Sequence, residues 1–387
     1  MQHSPPAPSR AAPDWIGIAI VGVIIAGLAV LGINTWLNMQ TAGITPGYGF
    51  LSQTAGFDLS ESLIRANASD SYGRVILAGL LNTLFLALCA LVLATVLGVL
   101  MGLVSVTPSP AGRLFAMLYV ELFRNLPKIL VLLVLYVVTV RGLPSVREAV
   151  SIGPVHLTNR SIYLPMIAPD PKQLWLLLPL VLACAFAVLW HRHAGRIKRD
   201  TGRDVPVLPV VLATVIGLPV LFGAMVGTPL VPDLPQFQRF DFEGGGRFSI
   251  QFVVVLLTLG LYHGAQIAEV VRGGILSVPQ GQIEAARALG MSPRSVTRFV
   301  VLPQVLRIVI PPMINQYVNL IKNTSIAIAV GYSDLMSVSG TIINQTFRPL
   351  EMMLITMGLY LGLCLLASWG MNYLNDSLRA RSMGRGK

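Results

Sequence analysis

Apolar stretches long enough to cross a membrane alternate with short polar segments along most of this chain. About 20 consecutive apolar residues span the hydrocarbon core of a bilayer. Eight stretches reach or approach that length, so the pattern predicts an all-α integral membrane protein with about eight transmembrane helices. The predicted spans cover residues 15–37, 75–104, 114–140, 174–190, 207–226, 250–271, 307–330 and 351–372.

The charge of the intervening segments predicts the orientation of the chain, because Lys and Arg accumulate in cytoplasmic loops. The densest basic run, residues 191–204, predicts a cytoplasmic loop. The weakly charged residues 38–74 are expected outside, as are the loops at 141–172 and 227–249. Gly244, Gly245 and Gly246 within the last of these suggest a flexible turn, since no Lys-Ser or Lys-Thr follows to form a phosphate-binding loop.

Both termini are expected in the cytoplasm. Residues 1–14 form a Pro-rich leader that is predicted to be disordered, and residues 375–387 form a basic tail. Residues 15–37 lack a small-residue cleavage site directly after a short apolar core, so they are predicted to be a retained N-terminal anchor.

Composition supports the membrane assignment. Of 387 residues, 54% are hydrophobic and only 12% are charged, well below the roughly 25% charge of soluble domains. The net charge of +11 is spread over loops on one side and is not a nucleic-acid-binding stripe. The three cysteines lie in apolar runs without paired spacing, so neither a disulfide framework nor a metal site is expected.

A polar segment with helical character, residues 276–305, separates the sixth and seventh spans. It contains Glu284-Ala285-Ala286, then Gly290, and ends with Leu302-Pro303. The spacing predicts two short helices, with Gly290 providing a positive-φ stop and Pro303 ending the second helix. The small alanine side chains permit close approach to a groove in another protein.

This segment resembles the EAA loop, which docks onto the cytoplasmic ATPase in permease subunits of bacterial ATP-driven importers. Arg272-Gly273-Gly274-Ile275 before it and Lys322-Asn323-Thr324-Ser325 after it resemble the polar amino acid uptake branch of that family. The resemblance implies ATPase coupling by a set of loop residues: Glu284, Ala285, Ala286, Gly290, Leu302 and Pro303.

The whole layout resembles one permease of the broad-specificity L-amino-acid importers. The resemblance implies a permease domain over residues 75–374 with a five-helix core, to which the N-terminal anchor and a helix pair inserted within residues 141–249 are added. It also implies a location in the bacterial inner membrane, in contact with lipid. The expected partners are a cytosolic ATPase dimer, a second and non-identical permease, and a periplasmic amino-acid-binding protein.

The chain has no Gly-x4-Gly-Lys-Ser/Thr motif. The partner ATPase is therefore expected to bind ATP, and this chain is expected to be a transport subunit without a cofactor, not an enzyme. The rival class is an ion-coupled secondary amino acid transporter, which is disfavoured because the spans lack a carboxylate cluster suited to a proton relay.

Polar side chains recur at helical spacing along the seventh span, and a polar face on a membrane helix must contact protein or water. These residues are Asn315, Gln316, Asn319, Lys322, Asn323 and Ser325. Two interpretations remain open: the face lines a substrate pathway, formed by Asn315, Asn319, Lys322, Asn323 and Ser325, or it binds neighbouring helices. Lys322 is either a partner for a substrate carboxylate or a side chain that reaches the outer interface or pairs with Asp334.

The third span begins with three charged residues. Glu121 and Arg124 lie three residues apart and can pair, whereas Lys128 occupies a position where the resembled family has an apolar residue. In the second span, Gly98 and Gly102 lie four residues apart and permit close helix packing. Residues 331–349 are predicted to be an outside or partly re-entrant segment.

Overall fold

The computed structural model describes residues 15–41, 47–167, 177–201, 205–226 and 232–383, and these are mostly helical. The leader predicted over residues 1–14 lies outside the described residues. The helices are α1 (Trp15–Thr41), α2 (Tyr72–Val104), α3 (Pro110–Asn125), α4 (Lys128–Gly142), α5 (Leu177–Thr201), α6 (Val207–Val226), α7 (Ile250–Leu276), α8 (Gln280–Ala288), α9 (Pro293–Val296), α10 (Leu302–Asn323), α11 (Leu335–Thr346) and α12 (Pro349–Met383).

Helices lie at all eight positions where the sequence predicts a span. Within the described residues, six segments are long and apolar enough to cross a membrane: Trp15–Asn38, Tyr72–Val104, Leu178–Gly195, Ile250–Leu276, Pro293–Val330 and Pro349–Tyr373. The bent pair α3 and α4 makes a seventh if it is counted as one span, and α6 contains a shorter apolar stretch, Pro209–Met225. The predicted all-α membrane fold is confirmed.

Two helices extend beyond the spans that hydropathy predicts. The chain remains helical in α5 to Thr201, through most of the predicted basic loop at 191–204, and in α12 to Met383, well into the predicted tail. Lys, Arg and Ala favour helix as strongly as many apolar residues do. Hydropathy therefore locates the apolar part of each of these helices but does not predict where the helix ends.

The predicted third span is broken. Its two halves, α3 and α4, meet at an angle of 106°, because Leu126 and Pro127 are extended, with ψ of 139° and 123°. Proline disfavours helical backbone in the residue before it. The Asn125 amide donates to the Glu121 carboxylate at 2.8 Å, and no Glu121–Arg124 ion pair forms in the described chain.

The central helices α2 and α7 run parallel and form the most extensive helix contact in the described structure. A Cβ at Gly98 would lie 2.5 Å from the Cβ of Ile267, and one at Gly102 would lie 2.7 Å from the Cβ of Val271. Real Cβ atoms do not approach so closely, so only glycine admits this packing. The close-packing role predicted for both glycines is confirmed.

Eight short strands lie at the end of the bundle where α7 begins. They are β1 (Val150–Ile152), β2 (Val155–Leu157), β3 (Ser161–Leu164), β4 (Met166–Ile167), β5 (Pro232–Asp233), β6 (Gln236–Gln238), β7 (Asp241–Glu243) and β8 (Gly246–Ser249) in the described chain. We call this end the strand end and the opposite end, where α7 leads into α8, the coupling end.

The strands give the predicted outer loops a defined structure. β1, β2, β3 and β8 form an antiparallel sheet in that order, and Leu164 of β3 pairs with Gly246 of β8. The glycine run interpreted as a flexible turn therefore leads directly into a strand. Gly244 and Gly245 have positive φ angles of 83° and 64°, which turn the chain between β7 and β8.

The segment predicted as outside or re-entrant forms α11. Asp334 caps it by accepting a hydrogen bond of 2.9 Å from the Ser337 amide, and Val338 packs onto α2 at Gly79. Residues Phe50, Tyr72, Leu335, Ile342 and Met352 form a second apolar core between this helix, α2 and α12. The segment is thus an integral part of the strand end.

Candidate functional site

The first candidate site is the loop at the coupling end. Helix α8 ends in a Schellman motif: the Gly290 amide donates to the Arg287 carbonyl at 2.9 Å, and the Met291 amide donates to the Ala286 carbonyl at 3.2 Å. Gly290 has φ of +77°, as its predicted helix-stopping role requires. The motif fixes the direction in which the chain leaves α8.

One side of this loop is buried and the other is exposed to solvent. Val278, Ala286 and Val296 are buried, whereas Glu284 is exposed and Leu289 is 83% exposed. An apolar and a charged side chain thus lie together on the solvent side of α8. We call the exposed side, formed by Glu284, Ala285 and Leu289, the docking face.

The predicted end of the second loop helix is wrong. Helix α9 covers only Pro293–Val296, a π-helical turn follows over Thr297–Val301, and Pro303 lies in the first turn of α10. A proline is tolerated in a first helical turn because its missing N–H would have no partner there. Pro303 therefore begins a membrane helix, and the coupling segment is continuous with α10.

A side-chain contact strengthens that continuity. The Gln304 amide on α10 donates to the Gln282 side-chain oxygen on α8 at 2.6 Å, and to the Val300 carbonyl at 2.8 Å. Helices α8 and α10 are thus joined by both backbone and side chains.

The second candidate site is the polar face predicted on α10. Asn315 and Asn319 are exposed in the single chain, so no helix of this subunit covers them in the described structure. The two residues that follow toward the strand end, Lys322 and Asn323, point to different sides of α10. The predicted pathway residues therefore do not form one continuous surface.

Lys322 faces a groove of about 720 Å³ between α10 and α12. The groove also contains Ser325, Thr356 and Cys364, and most of its other lining residues are apolar. Asp334, suggested as a partner for Lys322, is buried and instead accepts hydrogen bonds from the Ser337 amide and the Tyr360 hydroxyl. Within the described chain, Lys322 forms no ion pair.

Asn323 belongs to a polar cluster on the other side. The Lys128 ammonium donates to the Asn323 side-chain oxygen, and the Asn323 amide nitrogen lies 3.2 Å from His263 Nε2. Gln316 lies beside His263. We call Lys128, His263, Gln316 and Asn323 the mid-membrane cluster, because His263 lies midway along α7.

Sequence reasoning missed two members of this cluster. His263 is 1% exposed and is an ionisable group within an apolar span, which by itself indicates a functional candidate. Lys128 was noted only as a departure from the resembled family. The two residues are 135 positions apart, so only the packing of α4 against α7 reveals that they share a site.

At the strand end, Glu61 connects the segment before α2 to β8. Its carboxylate accepts a hydrogen bond of 3.0 Å from the Ser249 amide. Burial raises the pKa of Glu61 above its usual value, and the Ser249 hydrogen bonds and the positive charge of Arg247 oppose that rise. In the described residues, no group of three or more His, Cys, Asp or Glu side chains is arranged to hold a metal ion.

Comparison with known families assigns a class to this architecture. The model of the family described as the inner membrane component of binding-protein-dependent transport systems matches residues 94–380. That match covers well over half of the chain, so the chain belongs to this family of transport permeases. It is a multi-pass membrane protein.

Curated relatives match over most of their length. The chain is 39% identical to the general L-amino acid transport system permease protein AapQ of Rhizobium johnstonii, over 89% of this chain and 86% of that protein. It is 38% identical to the putative amino-acid ABC transporter permease protein YhdX of Escherichia coli, over 91% and 92%. It is 35% identical to the glutamate/glutamine/aspartate/asparagine transport system permease protein BztB of Rhodobacter capsulatus, over 95% and 93%.

Proposed function

We propose that this chain is the permease subunit through which an ATP-driven importer moves a broad range of L-amino acids inward. The observation that carries the proposal is the coupling loop, which presents an exposed docking face and is joined to α10 through Gln282 and Gln304. In this arrangement, force applied to the loop reaches the helix that carries the polar face.

The coupling step follows from the geometry of the loop. The Schellman motif and the buried Val278, Ala286 and Val296 make the loop a stiff unit, so movement of a docked ATPase displaces α10 as well. Displacement of α10 relative to α7 and α12 opens the pathway alternately to the two sides of the membrane.

Amino acids are the proposed substrates because all three relatives described above are named as amino acid permeases. A pathway lined by Asn315, Asn319 and Asn323 suits them, since an amide group both donates and accepts hydrogen bonds. Such groups accommodate polar side chains of either charge better than a fixed counter-charge does. The expected range therefore includes acidic and neutral amino acids.

The proposed complex contains further subunits. Two cytosolic ATPase subunits bind ATP, so this chain needs no cofactor of its own. A second, non-identical permease covers the exposed polar residues of α10, which cannot face lipid. A periplasmic binding protein delivers the amino acid at the strand end. The complex lies in the bacterial inner membrane, with both termini of this chain in the cytoplasm.

The test is uptake by the complete complex, purified from native membranes and reconstituted in proteoliposomes with its binding protein. We expect uptake of labelled L-glutamate and L-leucine to require ATP on the side of the ATPase and to persist when ionophores collapse all ion gradients. Uptake that follows a sodium or proton gradient without ATP would instead identify an ion-coupled transporter.

A further inference from the structure

We propose that Phe240 and Phe347, two exposed side chains on strained backbone at the strand end, are anchor residues for the periplasmic binding protein. The inference rests on the proposed transport function and adds the residues by which this chain recognises that partner. It is carried by the coincidence, at two separate places, of a positive φ angle outside glycine and an exposed aromatic ring.

Positive φ angles in the described chain occur mostly at glycine. Six glycines have them, and the two other residues are Arg239, with φ of 51°, and Phe347, with φ of 53°. A side chain clashes with the backbone in this left-handed region, so glycine is the usual residue there. Gly290 and Gly331 follow that rule after α8 and after the 3₁₀ helix Thr324–Val330. Phe347 breaks it at an equivalent helix end.

Phe347 ends helix α11. Its amide donates to the Ile343 carbonyl at 2.9 Å, in the left-handed conformation that normally selects glycine at a helix end. The side chain is 79% exposed, so packing within this chain does little to offset the cost of that conformation. Arg348 donates to the Gly47 carbonyl at 2.9 Å and pairs with Glu351 at 3.6 Å. The backbone at Phe347 is therefore fixed while its ring is left uncovered.

Phe240 lies at the tip of the β6–β7 hairpin. Its amide donates to the Gln238 carbonyl two residues earlier, which closes a three-residue turn centred on Arg239. A turn of this size with a positive φ at its centre is rare and strained. The Phe240 ring is 70% exposed, with the Arg147 guanidinium 5.7 Å from its centroid. Strained backbone thus again presents an exposed phenylalanine.

The hairpin is firmly attached to the four-stranded sheet. The centroid of the Phe242 ring lies 4.4 Å from that of the His156 ring and 4.8 Å from that of the Tyr163 ring. The Tyr163 hydroxyl donates to the Asp241 carboxylate, and Arg247 pairs with the same carboxylate at 3.6 Å. A preorganised contact surface lowers the entropy cost of binding. The aromatic side chain at the tip is therefore suited to enter a pocket of a partner.

A protein surface fits these two rings better than lipid does. Both rings lie outside the apolar spans found in the described chain, Phe240 among the strands and Phe347 between α11 and α12. Each has a charged neighbour, Arg239 or Arg348, which is costly to place in hydrocarbon. Lipid contact also needs no fixed side-chain direction, whereas a few aromatic anchors supply most of the binding energy between proteins.

Among the proposed partners, the binding protein is the one that reaches the strand end from water. The ATPase subunits lie at the coupling end. The second permease covers membrane helices, including the exposed polar residues of α10. A binding protein docks for delivery and then leaves, so its anchor residues are exposed in the permease alone.

The experiment measures binding of the periplasmic binding protein to the complete complex in lipid nanodiscs. The probe is the binding protein of the uptake assay, loaded with L-glutamate and labelled with a fluorophore. We expect Phe240→Ala and Phe347→Gly each to weaken binding by at least about tenfold, as loss of an anchor residue does. Phe240→Tyr and Phe347→Tyr keep an aromatic ring and should retain affinity within about threefold.

Phe347→Gly also separates recognition from folding. Glycine relieves the strain of a positive φ angle, so the thermal midpoint of the complex should stay equal or rise while binding is lost. A ring that supported the fold would instead lower the midpoint when removed. Phe115→Ala is the matched control for loss of an exposed aromatic ring, because Phe115 is 61% exposed on α3, and binding should be unchanged.

Several outcomes would overturn the inference. They are wild-type affinity in Phe240→Ala or Phe347→Gly, a lower thermal midpoint in Phe347→Gly, an equal loss of binding in the tyrosine variants or Phe115→Ala, and loss of the second permease from either truncated variant. If the wild-type complex imports amino acids while any of these holds, only the anchor assignment fails. If the wild-type complex neither binds the binding protein nor imports amino acids, the proposed function itself fails.

Discussion

Gln304 on α10 donates a hydrogen bond of 2.6 Å to Gln282 on α8, joining the loop at the coupling end to the helix with the polar face. If this contact transmits movement, its loss should lower transport more than assembly. We expect Gln304→Ala to reduce ATP-driven uptake about fivefold, since a neutral hydrogen bond contributes about 1 kcal/mol. The measurement is initial uptake per reconstituted complex.

Gln282→Ala and the double variant complete a double-mutant cycle. The double variant should be no worse than either single variant. If the two losses multiply, or if neither variant affects uptake, the contact does not transmit movement.

The docking face should be needed for coupling. Glu284→Lys reverses an exposed charge that we expect to meet a cationic group on the ATPase, and it should uncouple ATP hydrolysis from uptake while membrane insertion is unchanged. The measurement compares substrate-stimulated ATP hydrolysis with uptake. Wild-type values for both would exclude the docking face as the coupling element.

Gly290→Val should have a similar effect for a different reason. Space around a Cβ at Gly290 is open, so the expected cost comes from its φ of +77°, roughly 1–2 kcal/mol for a residue with a side chain. Gly362→Val is the control, since Gly362 lies in α12 with equally open surroundings and no positive φ. Equal uptake in the two variants would contradict the prediction.

The polar face of α10 is tested by Lys322→Ala and Asn319→Ala in the complete complex. Each should raise the half-saturating level of loaded binding protein several-fold, or change the order of preference among amino acids, while basal ATP hydrolysis persists. Uptake kinetics across acidic, neutral and basic amino acids give the readout. Unchanged kinetics in both would show that these side chains only bind a neighbouring helix.

Orientation is tested with reporter fusions. A reporter that is active only in the cytoplasm should be active after Thr201, at the end of α5, and inactive at Gly245 between β7 and β8. Fusion at these points leaves the described helices intact. The opposite pair of activities would invert the proposed topology.

Glu61 predicts a pH dependence of stability. Its pKa is raised above 4.5 in the folded protein, so at pH values between the unfolded and the folded pKa the folded state binds more protons than the unfolded state. The contribution of this group to stability is therefore lost as pH rises through the folded pKa. In Glu61→Gln the loss should be absent, so the thermal midpoint of wild type should fall relative to the variant as pH rises above the usual pKa of a glutamate. A constant difference would contradict the assignment.

Local signals predicted much of this fold. The lengths of the apolar stretches located the helices. The helix stop at Gly290 was predicted correctly because a single glycine is enough to indicate a residue with positive φ. Pro303 was misread because a proline is equally compatible with the end of one helix and the first turn of the next.

Features that depend on distant pairing were not predicted. β3 and β8 are each too short to be recognised from sequence. They pair with each other, but the α5–α6 helix pair separates them along the chain. The mid-membrane cluster joins residues of three helices, and His263 gives no periodic signal of its own.

The pairing of Leu164 with Gly246 also bears on how the chain is assembled. The polypeptide leaves and re-enters the bundle at neighbouring points of one antiparallel ladder, so residues 165–245 are in topological terms the loop of a β-hairpin. Helices α5 and α6 pack chiefly on each other. The route from α4 through β3 and β8 to α7 is thus the same whether that loop holds two residues or two helices, and a permease can acquire or lose the pair without rerouting its core.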